Sequence, residues 1–570
     1  MTALKLKERL QKASKSVDAG KRAGLLATLA KPLRRLTEPG TPANLLLIVP
    51  PDLRTADPSF WYELQHGQVG FGSCLAIFSG ASPFTIEPPS AAWAREMHGF
   101  GWLRDLEATG EDEARDAARR LALEWIIRCE SEPGVCAEPQ VAARRLVSWL
   151  SHASFLLEDA DKETYTAITF SLRRQLAHLS RSWKEAPPGY PRLLSLIALM
   201  IVTLSLAGHD RQVRALEAPF TAELGAQVLS DGGHVSRNPT TVVELLLDLL
   251  PLSQCFAARD RELPQALNDA LARMLAMLRY LRLGDGCLAR FNGVGCATVA
   301  ALSTVVAYDE AQLSLLEEAG ASGYARLERG DVVVIADVGS PPPLAFSSRA
   351  QAGCLSFEMS DGDELLFANG GFPGSAGAEW VPAARASASH NTLVLAEKSS
   401  SRLIPHRNLE ALMGAPPLRY PDRVDRLQTQ TADAVVLEAS HDGYHRRFEL
   451  IHTRRLELAN DGSRLSGTDR LDGRSAKVRL HADLPYAIHF HLAPGVRCGL
   501  GKSNDAIVTL PSGRQWRLIA EGAELFVEES AHFAASAGPR RATQIVLRGC
   551  TYGETEVAWC IERINSEEAV

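Results

Sequence analysis

The chain lacks any C-x-x-C pair. Its ten cysteines are scattered through 570 residues, a distribution that supports neither a zinc knuckle nor a disulfide scaffold and fits buried, reduced thiols. No apolar run reaches the ~18 residues that would suggest a membrane span, so no transmembrane segment is expected. The opening, MTALKLKERLQKASKSVDAGKRAGLLATLAKPLRRL, carries lysine and arginine throughout and no apolar core of signal-peptide length. No export signal is recognisable, and the compartment is left open. The basic opening reads as a solvated surface helix, with an amphipathic helix on an anionic membrane as the alternative. A positive balance is lacking too: the net charge of −7 argues against a nucleic-acid partner, which would want a basic face. The same charge would repel an acidic polymer unless a local basic cleft overrode it.

What is present is ordinary globular material, 46% apolar and 23% charged, in a chain too long for one core, since single cores stop growing near ~250–300 residues. Two or three domains follow. From Ala91 the apolar residues Trp93, Met97, Phe100, Leu103 and Leu106 recur at helical spacing. Similar segments run over 113–129, 139–157, 163–181, 191–208, 210–229, 239–256 and 264–283, separated by short polar or Pro/Gly breaks. Helices of this length joined by short loops predict antiparallel pairs. The absence of an exact repeat favours an α/α barrel over a regular solenoid. Beyond about Val305 the segments turn short and β-rich, as in Asp331–Val338, Ala434–Ala439 and Tyr486–Leu492. Turn signals such as Asp361-Gly362 and Asp461-Gly462 punctuate them. The expectation is an α + β multidomain chain. Residues 1–90 hold a basic helix and a mixed segment, 91–310 an α/α toroid (an incomplete barrel), and 311–570 an antiparallel β-sandwich.

Three segments carry polar residues suited to chemistry. In Asp231-Gly-Gly-His-Val-Ser-Arg-Asn-Pro239, Asn238 is a good N-cap and Pro239 suits the first helical position. His234, Arg237 and Asn238 are thus expected at the mouth of a buried helix. There Arg237 and the helix N-terminus would attract a carboxylate. The ordinary alternative is a turn whose polar residues only cap the helix. In Arg385-Ala-Ser-Ala-Ser-His-Asn-Thr392, a polar run holding Arg385, His390 and Asn391 enters a strand. In HDGYHRRFELIHTRRLEL (441–458), Tyr444, Arg446, His452 and Arg454 are expected along one hairpin. Phe448, Leu450, His452, Arg454, Leu456 and Leu458 would share a face.

These segments resemble the heparinase II/III superfamily of polysaccharide lyases. The resemblance covers most of the chain through SWLSHA (148–153), the DGGHVSRNP loop, LRLGDGCLARFNG (281–293), SGYARLERGDVVVIADVG (322–339), AGCLSFEMS (352–360), SASHNTLVL and HDGYHRRFELIHTRRLEL. It implies an α/α toroid followed by antiparallel sheets, an acidic polysaccharide or oligosaccharide as partner, and β-elimination of uronic-acid-containing glycans with no redox cofactor. Such chemistry needs the C5 carboxylate neutralised, a base for the α-proton and an acid for the leaving oxygen. On this resemblance His390 is the catalytic histidine, with His234 and Tyr444 as further catalytic candidates. Arg237, Asn238, Asn391 and Arg385 would bind substrate. A structural zinc occurs in some members, and His452 matches the place of such a ligand. His489 and His491, on one face of their strand, could also share a metal. A homodimer is compatible with the sequence.

The sequence also departs from the family pattern. Active lyases of the superfamily often carry a glutamate after the DG loop and a Tyr-His pair shortly downstream; here the stretch offers Ser236, Thr241 and Val242. Three readings stay open: His234 substitutes, the chemistry differs, or the protein binds glycans without cleaving them. A glycoside hydrolase would need two carboxylates across the cleft, and Glu358 and Glu438 show no evident partner in the sequence.

Overall fold

The computed structural model describes residues 46–564, apart from 73, 79, 296–298, 310–315, 317, 404–416, 474–483, 502, 536–537 and 552–554. The basic opening and Cys296 lie outside the described residues.

The helical body is built on long helices at Asp112–Arg128, Pro139–Ser151, Lys162–Ser182, Tyr190–Ser205, Asp210–Gln227, Pro239–Ala258 and Gln265–Tyr280. Local chemistry sets several starts. Asp161 accepts from the amides of Glu163 and Thr164, both at 2.8 Å, and caps Lys162–Ser182. Asn238 accepts from Thr240 N at 2.9 Å ahead of Pro239. The expected helix through Trp93 and Leu106 is instead two, Ala91–Gly99 and Leu103–Glu107. Phe100 breaks it with φ 59°, because its ring is held among Trp102, Trp125 and Trp149 at 4.7, 6.0 and 5.4 Å. Aromatic packing overrides the helical period there. By length and composition alone, Pro239–Ala258 is apolar enough to cross a membrane, yet 67% of its most apolar window is buried inside the protein. It is the core helix of the toroid, with Val242, Val243, Leu245 and Leu246 fully covered.

The last helix in this part is Val299–Val306 and the first long strand Tyr324–Arg329. Three larger antiparallel sheets follow, beside a two-stranded pair of Arg402–Leu403 and Pro417–Arg419. A four-stranded sheet runs Tyr324–Arg329, Val332–Asp337, Phe357–Asp361, Glu364–Phe367. A second orders Glu524–His532, Arg540–Cys550, Pro485–His491 and Leu393–Leu395. The third has eight strands, from Val424–Gln430 at one edge to Arg497–Leu500 at the other. The architecture is an α/α toroid followed by a β-sandwich. Leu450–Ala459 alternates strictly, burying Leu450, His452, Arg454, Leu456 and Leu458. Phe448, expected on that face, sits in the helical turn His445–Phe448, because Glu449 (φ 57°) separates turn from strand.

One core spans toroid and sheet: Val333 and Ile335 pack with Leu245, Leu246 and Met277. Contact is closest at Gly284, where a Cβ would lie 1.7 Å from the carbonyl oxygen of Gly362. Gly284 N donates to Ser360 Oγ at 2.9 Å. This seam, crossed by the loops at 290–295, 338–356 and 369–391, is where the predicted functional residues gather.

Candidate functional site

The Asp231–Asn238 loop is pinned from within. Asp231 accepts from Gly233 N (3.0 Å), Ser322 N (2.6 Å) and Ser322 Oγ (2.9 Å). Gly232, at φ 87°, lies where a Cβ would be 2.0 Å from Arg273 O. The amide of Ser236 donates to His234 Nδ1 at 3.1 Å, so Nδ1 holds the lone pair and Nε2–H faces Gln227 Oε1 at 3.2 Å. Burial pushes His234 down to about 4. Both ring nitrogens are engaged, so His234 has no free donor or acceptor for a substrate.

Arg237 corrects the expectation most sharply. Its Nε donates to Ser322 O (2.7 Å), Nη1 to Gly339 O and Ser340 O (both 3.1 Å), and Nη2 to Gly323 O (3.0 Å) and the Asp337 carboxylate. A guanidinium has five N–H donors, and all five are taken. Burial works against its charge, but Asp337 keeps it protonated. Arg237 clamps the loop to the first sheet and has no donor left for a sugar carboxylate. Asn238 differs: its Oδ1 caps the helix, while its Nδ2 stands 2.9 Å from where a Cβ on Gly293 would be.

His390 is buried against Gly353, where a Cβ would sit 2.7 Å from Cδ2 and 3.1 Å from Nε2 of the ring. Its Nδ1 lies 2.8 Å from Ala386 O. A carbonyl only accepts, so Nδ1 carries the proton and Nε2 the lone pair. That Nε2 is buried without a partner. Burial pushes the imidazole down to about 4, against the weaker opposing pulls of Ala386 O and Asp337. His390 is a neutral imidazole with an unused base site. Asn391 is fully buried, with Nδ2 on Phe357 O (2.8 Å) and Oδ1 accepting from His491 N (2.5 Å). It ties strands together and does not face a ligand. Tyr444, expected beside the site, donates its hydroxyl to Leu393 O at 2.8 Å under near-complete burial, which drives its pKa far up. Arg385 donates to Ser348 O and lies over the Phe372 ring, 5.7 Å from its centroid.

The zinc expectation does not fit His452. Gly443 N donates to His441 Nδ1 at 3.1 Å, leaving a proton on His441 Nε2, which meets His452 Nδ1 at 3.3 Å. His452 Nε2 then faces Asp469 Oδ1 at 2.7 Å. Asp469 is further held by Arg454 (2.8 and 3.0 Å) and Trp559 Nε1 (2.9 Å). Every imidazole lone pair in this buried relay is used. His489 and His491 stack at 5.8 Å, but His491 bonds Ser530 Oγ (2.7 Å) and Ala388 O (2.9 Å), and His489 bonds Gln544 (3.0 Å). Among the described residues no group of three His, Cys, Asp or Glu side chains could hold a metal ion.

Two groups escaped the sequence, and a third, Glu358, read there as a carboxylate without an evident partner, finds its partners in the fold. Glu358, fully buried, accepts from Arg290 N (3.0 Å) and Asn369 N (2.7 Å), and burial raises it to about 7. Asp248 on the core helix gathers Arg54 (2.8 Å), Arg144 (2.7 and 3.1 Å) and Tyr190 (2.7 Å). Arg349 is exposed, 5.6 Å from the Phe372 ring centroid, and has no hydrogen bond or ion pair among the described residues. The only legible signal was a carboxylate inside an apolar helix, Asp248 in TVVELLLDLL, because a buried charge demands partners.

The fold has a polysaccharide-lyase-like architecture. Residues 311–560 match the family model described as heparinase II/III-like, C-terminal. Over 508 residues the chain is 31% identical to FtsZ-localized protein C of Caulobacter vibrioides, covering 88% of this chain and 86% of that protein. A solved heparinase III aligns with TM-score 0.72 at 13% identity, over 98% of this chain and 92% of that one. The heparan sulfate lyase HepC of Pedobacter heparinus aligns with TM-score 0.60 at 15% identity, over 98% and 91%. Identities this low speak for the fold alone. The chain belongs to the heparinase II/III superfamily.

Proposed function

We propose that this protein binds an acidic glycan in the seam between toroid and sandwich without cleaving it, and that it acts where FtsZ assembles. The observation that supports the first part is that the candidate proton donors are spent. β-Elimination needs an acid for the leaving oxygen, and the hydroxyl of Tyr444 and both nitrogens of His234 are engaged internally. Arg237 likewise has all five donors on the protein itself, which leaves the Asn238 amide to meet a carboxylate. Kinship with a protein whose name places it with FtsZ supports the second part. The test is a binding titration with glucuronate-containing oligosaccharides, followed in the same sample for the ultraviolet absorbance of unsaturated uronate. Binding with no product supports the reading. A fluorescent fusion of the full chain that ignores FtsZ assemblies would remove the second part.

One observation favours cleavage instead: His390 keeps a lone pair on Nε2 with no partner, the state a general base requires. In that reading His390 removes the C5 proton, and product appears in the same assay. It would disappear in a folded His390→Ala variant.

A further inference from the structure

Away from the seam, one sheet edge stands bare. The hairpin of Gln68–Phe71 and Cys74–Ile77 turns Val69 and Ala76 into the toroid core, where Trp93 Nε1 donates to Val69 O at 3.0 Å. The opposite face carries Leu75 and Ile77, 52% and 66% exposed. The register decides which backbone groups are used. Phe78 N donates to Gly67 O at 2.8 Å, and bonded pairs alternate along an antiparallel ladder. Val69 with Ala76 and Phe71 with Cys74 therefore exchange the bonds inside the hairpin, while Gly70, Leu75, Gln68 and Ile77 point theirs outward. On the first strand the outward amide of Gly70 is taken by Glu63 Oε2 at 2.9 Å. On the second, the N–H and C=O of Leu75 and Ile77 meet no partner among the described residues.

Other outer strands are guarded. Val424–Gln430 carries Asp425 and Arg426, Arg497–Leu500 begins on an arginine, and Glu524–His532 carries Glu524, Glu528 and Glu529. Such charges keep an edge from pairing. Cys74–Ile77 has neither charge nor proline, and it is its own complement. A two-fold axis through Ala76 sets Leu75 across from the second copy's Ile77, and Ile77 across from its Leu75. Every outward N–H then meets an outward C=O, and the exposed apolar side chains cover one another on one face. A charged partner would find no counter-charge on this edge; a second copy of the strand needs none.

We propose that Cys74–Ile77 is a self-docking edge, at which two copies of this chain join antiparallel through Leu75 and Ile77 into one continuous sheet. The inference stands apart from the glycan reading. Two strands of four residues cover far less than the ~1,200–2,000 Å² of a stable complex, so the pair is transient and forms as concentration rises.

The test is sedimentation equilibrium of the full chain from about 1 μM to about 1 mM, the range of Kd open to a transient contact, with amide hydrogen exchange read at both ends. The wild type moves from the mass of one chain toward that of two. The amides of Leu75 and Ile77 exchange severalfold more slowly at the high end, while that of Ala76, already bonded to Val69, does not change. Leu75→Lys and Ile77→Glu each weaken the association. An equimolar mixture of the two variants regains it, by up to about fivefold over either alone, the scale of one cross-strand charge pair, because the register sets the new charges opposite each other. Mixing would not rescue a folding defect. A wild type that stays one chain throughout overturns the inference. So do Leu75 and Ile77 amides already protected at the low end, which would mean that the edge is covered within one chain. Association that ignores both substitutions also overturns it, by placing the contact elsewhere.

Discussion

Replacing Arg237 with glutamine separates a structural clamp from a ligand contact. The substitution removes five charge-assisted hydrogen bonds and leaves the Asp337 carboxylate buried at 3% exposure. Asp337 keeps Asn292 Nδ2 at 3.2 Å but loses its cation. Breaking a buried pair from one side costs about 3–5 kcal/mol, and carbonyls of Ser322, Gly323, Gly339 and Ser340 lose donors besides. At roughly 2–4 °C per kcal/mol for a unit of this size, the Arg237→Gln protein should melt about 10 °C lower. Differential scanning fluorimetry with a parallel glycan titration reads both effects. The expected result is a large fall in melting temperature with the acidic-glycan affinity of the remaining folded protein little changed. An Arg237→Gln protein of native stability that no longer binds the acidic glycan would refute the reasoning, because the guanidinium would then be serving a ligand.

Other consequences are direct. Gly353→Ala places a Cβ 2.7 Å from the His390 ring; the expected outcome is a destabilised protein, visible as a lower denaturation midpoint. His234 and His390 are held near 4 when folded, below the ordinary 6.5 of an unfolded histidine. The unfolded chain therefore binds protons first, and their contribution, complete above pH 6.5, is lost as pH falls from 6.5 toward 4; urea midpoints across that range should drop, less steeply in His390→Gln. Glu358 runs the other way: raised to about 7 when folded, it contributes below about 4.5 and loses that contribution as pH rises toward 7, so Glu358→Gln should flatten stability across that window. Asp248→Asn strips the buried counter-charge from partly buried Arg54 and Arg144 and should cost about 3 kcal/mol, the low end of the range for breaking a buried pair, in equilibrium unfolding.

Much of the fold was legible because periodicity and capping act locally. Asp161, Asn238 and Pro239 mark helix starts, and the burial of Leu450–Ala459 follows the alternation of its sequence. The two places where the local reading failed have tertiary causes. Phe100 leaves the helix for a nest of tryptophans, and Phe448 leaves the strand at the left-handed Glu449. The candidate site was legible only as a set of segments. The sequence brought His234, Arg237, His390 and Tyr444 into view by residue type, but whether a donor is free depends on carbonyls nearly a hundred residues away, such as Ser322 and Gly339 for Arg237. Arg349 carried no motif at all, since its distinction is the lack of a partner.

The most direct measurement is a crystal structure of the protein with a hyaluronan tetrasaccharide bound. The predicted result places the sugar in the seam with its uronate carboxylate away from Arg237, which stays bonded to Ser322, Gly323, Gly339, Ser340 and Asp337. A carboxylate held by Arg237, with the sugar's C5 carbon against Nε2 of His390, would contradict the account and make the protein a lyase.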